Sequence, residues 1–300
     1  MKHINIKSLI LIMGFMGTLL ITSCSSSNAT DDLMDASANA SSTETAQAPS
    51  IDIQVPSPGE MLQFIKMLGG KSNKNTGFLN PASNLNAYNE ASQKALNFGI
   101  YSCDLSYCSV FEIGSETLKY FKSVKQLGDQ MGLSSAISNE QLKRLEQNVS
   151  KSDSLSVITD DIYFSSFSAL ENSKQGPTIA LIMAGGWIES MHIACNLVQF
   201  KPNSPASERI ADQKYALENI IDYMKKYEGN AMIDNTRKDL ENLYRAFQKI
   251  KEQDLATVKS NSETTVLGGT QQKQLIMSET NFKEIAAEVA SLRDKYTHIN

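Results

Sequence analysis

A chain of 300 residues, 41% hydrophobic and 20% charged, has the length and apolar content for a sizeable core in one or two domains. Its 28 basic and 33 acidic side chains leave a formal charge of −5, and no cluster of Lys and Arg interrupts that balance. A nucleic-acid backbone therefore finds no electrostatic footprint here.

The first 23 residues read as an address. MKHINIK is a short basic region, and SLILIMGFMGTLL is an apolar run too short for a stable span. The run ends in ITSC, with small residues before a cysteine and serines after it. This resembles the lipobox of bacterial lipoproteins, which implies cleavage before Cys24, diacylation of its sulfur and acylation of the new amino terminus. Several chains of the palmitate kind, each contributing about 0.8 kcal/mol per buried CH₂, hold a protein to a bilayer far better than one. Ser25 after the cysteine points to the outer membrane, the domain facing periplasm or cell surface. A plain secretory signal cut near Ser23 is the alternative. Loss of residues 1–23, with Lys2 and Lys7 and no acid, leaves 26 bases against 33 acids, a charge of −7.

Residues 24–50 are Ser, Ala, Thr and acids with almost no large apolar side chain. Such a stretch cannot bury enough surface to offset the entropy of ordering, so it is expected to be a flexible acidic tether. From residue 51 to 300 the pattern is that of one helical domain. Met61, Ile65 and Leu68 mark a short helix stopped by Gly69-Gly70, and a loop then leads into a long helix over 83–111. The next helix covers 115–131, with Leu118, Phe121, Val124 and Leu127 on one stripe and Gly132 as its stop. Ser138 three before Gln141 is a capping box. Further helices are expected at about 153–172, 177–200, 206–227, 231–255 and 278–297. Gly268-Gly269 could turn one small hairpin within 263–276. Alternation of period two is otherwise nearly absent. The expected fold is all-α, a bundle or irregular array of eight to nine helices.

No 34-residue period emerges, but a weaker echo exists at an offset of 86. Gly99, Tyr101 and Asp104 in FGIYSCD match Gly185, Trp187 and Ser190 in AGGWIES. Ala87, Ala91, Ala95, Gly99 and Cys103 recur every fourth residue, and Gly186, Ser190 and Ala194 form a second ridge. Ridges four apart interlock when helices pack, and small residues let the backbones approach. Glycine within a helix costs about 1 kcal/mol against alanine, so the two long helices are expected to cross near Gly99 and Gly185-Gly186. The segments VPSPGEMLQFI, FLNPASNLNAY, ALNFGIYSCDLSYCSVF and ALIMAGGWIESMHIA also resemble a group of uncharacterised Bacteroidetes outer-membrane lipoproteins. That resemblance implies an anchored helical domain behind a tether and supplies no activity.

Few residues here carry chemistry. Without Cys24, three cysteines remain, Cys103, Cys108 and Cys195. On a helix, residues five apart have Cα atoms about 8.6 Å apart, beyond disulfide reach, so Cys103 and Cys108 do not pair; Cys108 and Cys195 could bridge across helices. Glu189 and His192 have the Glu-x-x-His spacing of di-iron bundles, but the chain has three histidines and no second motif. No metal or other cofactor is expected, and no catalytic residues are assigned, for no Ser-His-Asp arrangement or phosphate loop emerges. Asp104, set among Tyr101, Tyr107 and the cysteines, is the carboxylate that needs explaining. With Trp187, Glu189 and His192 it forms either a satisfied polar core or the floor of a ligand pocket between helices 83–111 and 177–200. The first reading fits an anchored module that binds an envelope protein or other component. The second fits a small-molecule or lipid-binding domain.

Overall fold

The computed structural model describes residues 57–68, 74–149, 151–254 and 273–298. The leader, Cys24, the tether and both glycine pairs, Gly69-Gly70 and Gly268-Gly269, lie outside the described residues. Among the described residues there are nine α-helices. They are α1 (Pro58–Met67), α2 (Ala91–Val110), α3 (Gly114–Gln130), α4 (Asn139–Asn148), α5 (Ser152–Asn172), α6 (Gly176–Leu197), α7 (Pro205–Lys225), α8 (Ala231–Gln248) and α9 (Glu279–Thr297). A 3-10 turn at Ala82–Ala87 precedes α2. Between α8 and α9 the antiparallel strands β1 (Lys251–Asp254) and β2 (Lys273–Ile276) pair, Lys251 opposite Ile276. The fold is all-α with one small sheet.

Local sequence sets the helix starts. Ser57 accepts from Glu60 N at 3.2 Å while the Glu60 carboxylate accepts from Ser57 N, and Pro58 fills the first helical position. Ser138 with Gln141 and Ser278 with Asn281 make the same reciprocal pair. Past α3, Gly132 takes a φ of +80°, the left-handed conformation that ends a helix without a Cβ penalty.

The centre consists of α2 and α6, which are buried nearly all round. α2 is buried continuously from Ala95 to Val110, and α6 from Ile179 to Met191. A helix of that kind belongs in the middle of an array. α6 is long and apolar enough to span a membrane, yet most of it is buried against its neighbours. Four serines tolerate this burial by bonding back one turn: Ser102 to Phe98 O, Ser106 to Ser102 O, Ser109 to Leu105 O and Ser190 to Gly186 O.

Where α2 and α6 cross, the backbones touch. A Cβ on Gly99 would lie 2.7 Å from Gly186 N and closer still to the Ile182 carbonyl oxygen. A Cβ on Gly185 would lie 2.8 Å from the Leu96 carbonyl carbon. The contacts are reciprocal at the offset of 86: Gly99 meets Ile182, and Gly185 meets Leu96. Cys103 Sγ then lies 3.3 Å from Ser190 Oγ one turn on. Around this crossing α1 packs on α6 as well as α2, and α5 on α2 as well as α6. Pro58 of α1 and Tyr163 of α5 both close over the bare backbone of Gly186.

Three boundaries differ from the sequence reading. The helix expected from residue 83 is a 3-10 turn followed by a break at Tyr88–Glu90, and α2 begins only at Ala91. Side chains cause the break. Asn84 bonds Asn80 and Thr297 O, and Tyr88 reaches Thr297 O at 3.1 Å, so the segment answers to partners outside a helix. Ala87 thus leaves the ridge, and Ala91 is exposed; the working ridge is Ala95, Gly99 and Cys103. α8 stops at Gln248, and residues expected to continue it form β1, where Lys214 pairs with Glu252 at 2.5 Å. The partner strand β2 falls within the expected hairpin, but β1 lies before it, so the two strands enclose a longer connection.

Candidate functional site

The candidate residues and their partners fall into three separate groups. The first is Asp104, Glu189 and Arg293. Glu189 and Asp104 are wholly buried and Arg293 is 7% exposed. Arg293 Nε and Nη2 donate to the two Glu189 oxygens at 2.9 and 3.1 Å, a bidentate pair between α9 and α6. Asp104 of α2 accepts from Asn80 N through Oδ2 at 3.2 Å, while its Oδ1 faces no donor. Burial first, then the Glu189 charge, push the Asp104 carboxyl well above the usual carboxylate range, against the pull of Arg293.

Around this trio runs a collar of amides and hydroxyls. Asn80 Nδ2 donates to Tyr88 Oη and Asn97 Oδ1, and Asn97 Nδ2 to Tyr296 O at 2.9 Å. Tyr88 donates to Thr297 O, Tyr101 to Pro81 O and Tyr120 to Asn80 O. The collar receives the last carbonyls of α9, which have no partner within their own helix. Burial raises the phenol pKa of Tyr88, Tyr101 and Tyr120.

Tyr107 and His192 belong to a second group. Tyr107 donates to Asn75 O, its ring meets Phe78 edge-on at 5.4 Å, and His192 Nε2 donates to Phe78 O at 3.1 Å. Burial holds the His192 pKa below its ordinary value despite nearby Glu189. Trp187 lies in a third place, its Nε1 bonded to Gln213 of α7 and its ring 5.9 Å from Phe247 of α8. The structure thus joins Asp104 to Glu189, sets Tyr101 beside them, and parts them from Trp187.

Glu189 and His192 do not converge on a common point: one holds Arg293 and the other a backbone carbonyl. Among the described residues no three His, Cys, Asp or Glu side chains gather where a metal could sit. Cys103, Cys108 and Cys195 are free thiols, unbridged. Burial raises all three, Cys195 to about 12. Native protein at about pH 8 should therefore leave Cys103 and Cys108 unlabelled by a maleimide and expose both on unfolding, with half-buried Cys195 slow to react; rapid native labelling of Cys103 or Cys108 would contradict this burial.

The sequence reading missed Arg293, Asn80 and Asn97. A signal for Arg293 existed. It follows Phe282, Ile285 and Val289 at helical spacing, a charge on an apolar stripe, which at the burial level belongs with a buried acid. Asn80 left no such trace, since asparagine is common in loops; Asn97 stands on buried α2, where a polar side chain needs a partner just as Asp104 does.

Among the described residues, open grooves lie at the surface. One, of about 560 Å³, runs between the 3-10 turn and α3, with Leu85 and Leu118 on its floor and Lys119 and Lys122 on its rim. Another, about 380 Å³, is lined by Arg144, Asn148, Ser154, Val157 and Ile158 between α4 and α5. Beside it Val157 is 58% and Phe164 54% exposed, two turns apart on α5. Compared with protein-family models, curated proteins and solved structures, the chain finds no match in any of the three.

Proposed function

We propose that this chain is a lipid-anchored protein of the bacterial cell envelope whose helical domain binds another envelope protein. The ITSC lipobox and the likeness to outer-membrane lipoproteins support the anchor and its location. The observation that carries the binding role is the contrast between core and surface. Asp104 and Glu189 are sealed at the α2–α6 crossing, beyond a substrate's reach, while α5 presents Val157 and Phe164 to solvent beside a groove. Apolar side chains two turns apart on one exposed helix face suit a partner's apolar surface.

A photo-crosslinking residue in place of Phe164, expressed in the native host, should give one discrete protein adduct. Adducts to lipid alone, or none, would remove the protein-partner reading. For the anchor, Cys24→Ala should abolish palmitate labelling and leave the precursor uncleaved; persistent labelling would refute the lipobox. A small-ligand reading has one observation in its favour, the groove along α3, where Lys119 and Lys122 would suit an anion. It places the ligand at the surface, because backbone contact at Gly99 and Gly185 leaves no room between α2 and α6.

A further inference from the structure

We propose that Asp104 keeps its carboxyl proton at neutral pH and donates it through Oδ1 to Glu189, so that a single proton latches α9 onto the α2–α6 crossing and its loss releases the latch. Two carboxyls and one guanidinium share a site largely closed to water, and the group is neutral only if one carboxyl is protonated. Geometry chooses which. Glu189 takes both Arg293 bonds, an arrangement that fits a carboxylate, whereas Asp104 receives one bond from Asn80 N and leaves Oδ1 without a donor. A buried carboxylate oxygen with no donor is costly; the same oxygen bearing a proton becomes the donor, with Glu189 as its acceptor.

Among the described residues, the other groups facing the site are already engaged. From the collar, the Tyr88, Tyr101 and Tyr120 hydroxyls each donate to a backbone carbonyl. On α2 the Cys103 and Cys108 thiols are held neutral by burial, and Cys103 is engaged with Ser190. On α6, His192 is bonded to Phe78 O. Arg293 is the one cation that α9 brings in. Ionising Asp104 would set a second negative charge against Glu189 with nothing to balance it. The relief with least disruption is departure of the C-terminal end of α9, held there by Arg293 and by carbonyl contacts at Tyr296 and Thr297.

The sign follows from linkage. The folded state holds a proton that the unfolded chain gives up near the ordinary aspartate value of about 3.9. Stability from this group is complete below that value and falls as the pH rises toward the raised folded value. One linked proton lowers the folding constant about tenfold per pH unit in that window. Asp104→Asn keeps the shape and supplies an amide donor toward Glu189, without a titrating proton. Above the ordinary aspartate value of about 3.9, and until the raised folded value is reached, the stability of wild type relative to this variant should fall with that slope, and amide exchange of α9, corrected for intrinsic rate, should rise with pH in the wild type alone. Parallel pH profiles for the two proteins would overturn the proposal. Should the variant not fold, the carboxyl carbon-13 resonance of Asp104 in wild type decides: the protonated position at neutral pH is expected, and the ionised position would refute the proton.

Discussion

Gly99→Leu should unfold the domain, at a cost above about 4 kcal/mol, and Gly99→Ala should still cost about 2 kcal/mol, a drop of about 4–8 °C in Tm. The alanine result is the sharper one, because helix propensity alone predicts a gain of about 1 kcal/mol for that change. Packing reverses the sign. The new methyl would press on the Ile182 carbonyl and Gly186 N, and these are backbone atoms that cannot rotate aside. Either α2 and α6 separate, opening voids along the most buried surface of the protein, or the α6 backbone bends. Ala91→Leu is the control, on the same helix but exposed, and should change stability by less than about 0.5 kcal/mol. Equal melting of Gly99→Ala and the parent, followed by circular dichroism, would contradict the crossing.

Arg293→Met should cost about 3–5 kcal/mol, the range for removing one partner of a buried ion pair. The loss is greater than that of two hydrogen bonds because Glu189 remains wholly buried without the guanidinium that holds both its oxygens. Removing the acid as well should restore much of the loss: the double variant Arg293→Met with Glu189→Leu exchanges the pair for apolar groups of comparable size. Denaturant unfolding of both single variants and the double closes a cycle, and a coupling energy below about 1 kcal/mol would show that the pair is not a unit. Arg293→Lys should recover only part of the wild-type stability, since an ammonium cannot reproduce the fork that meets both Glu189 oxygens.

Legibility followed the range of the interactions. Ser57-Glu60, Ser138-Gln141 and Gly132 are effects over three or four residues, and they could be read without the fold. The small-residue ridges through Gly99 and Gly186 were legible for a related reason, as glycine in a helix is unfavourable unless something approaches it. The 3-10 turn at Ala82–Ala87 was not legible. Asn84 and Tyr88 are drawn out of helical geometry by Thr297, more than 200 residues away, and local pattern carries no trace of that partner. The end of α8 was hidden for the same reason, since β1 exists only because β2 returns beside it.

From the sequence alone came the helical class, the positions of most helices, the spacing that separates Cys103 from Cys108, and the residues that permit close backbone contact. Those properties depend on periods and caps, which each segment carries within itself. Tertiary structure decided what Asp104 and Glu189 do. Both stand on apolar helices where a pocket and a packed core would read alike, and the difference lies in whether a third helix fills the space. Here α9 fills it with Arg293, and the acids become a sealed junction at the centre of the fold. A buried charge is defined by its partner, and that partner came from a helix 104 residues further along the chain.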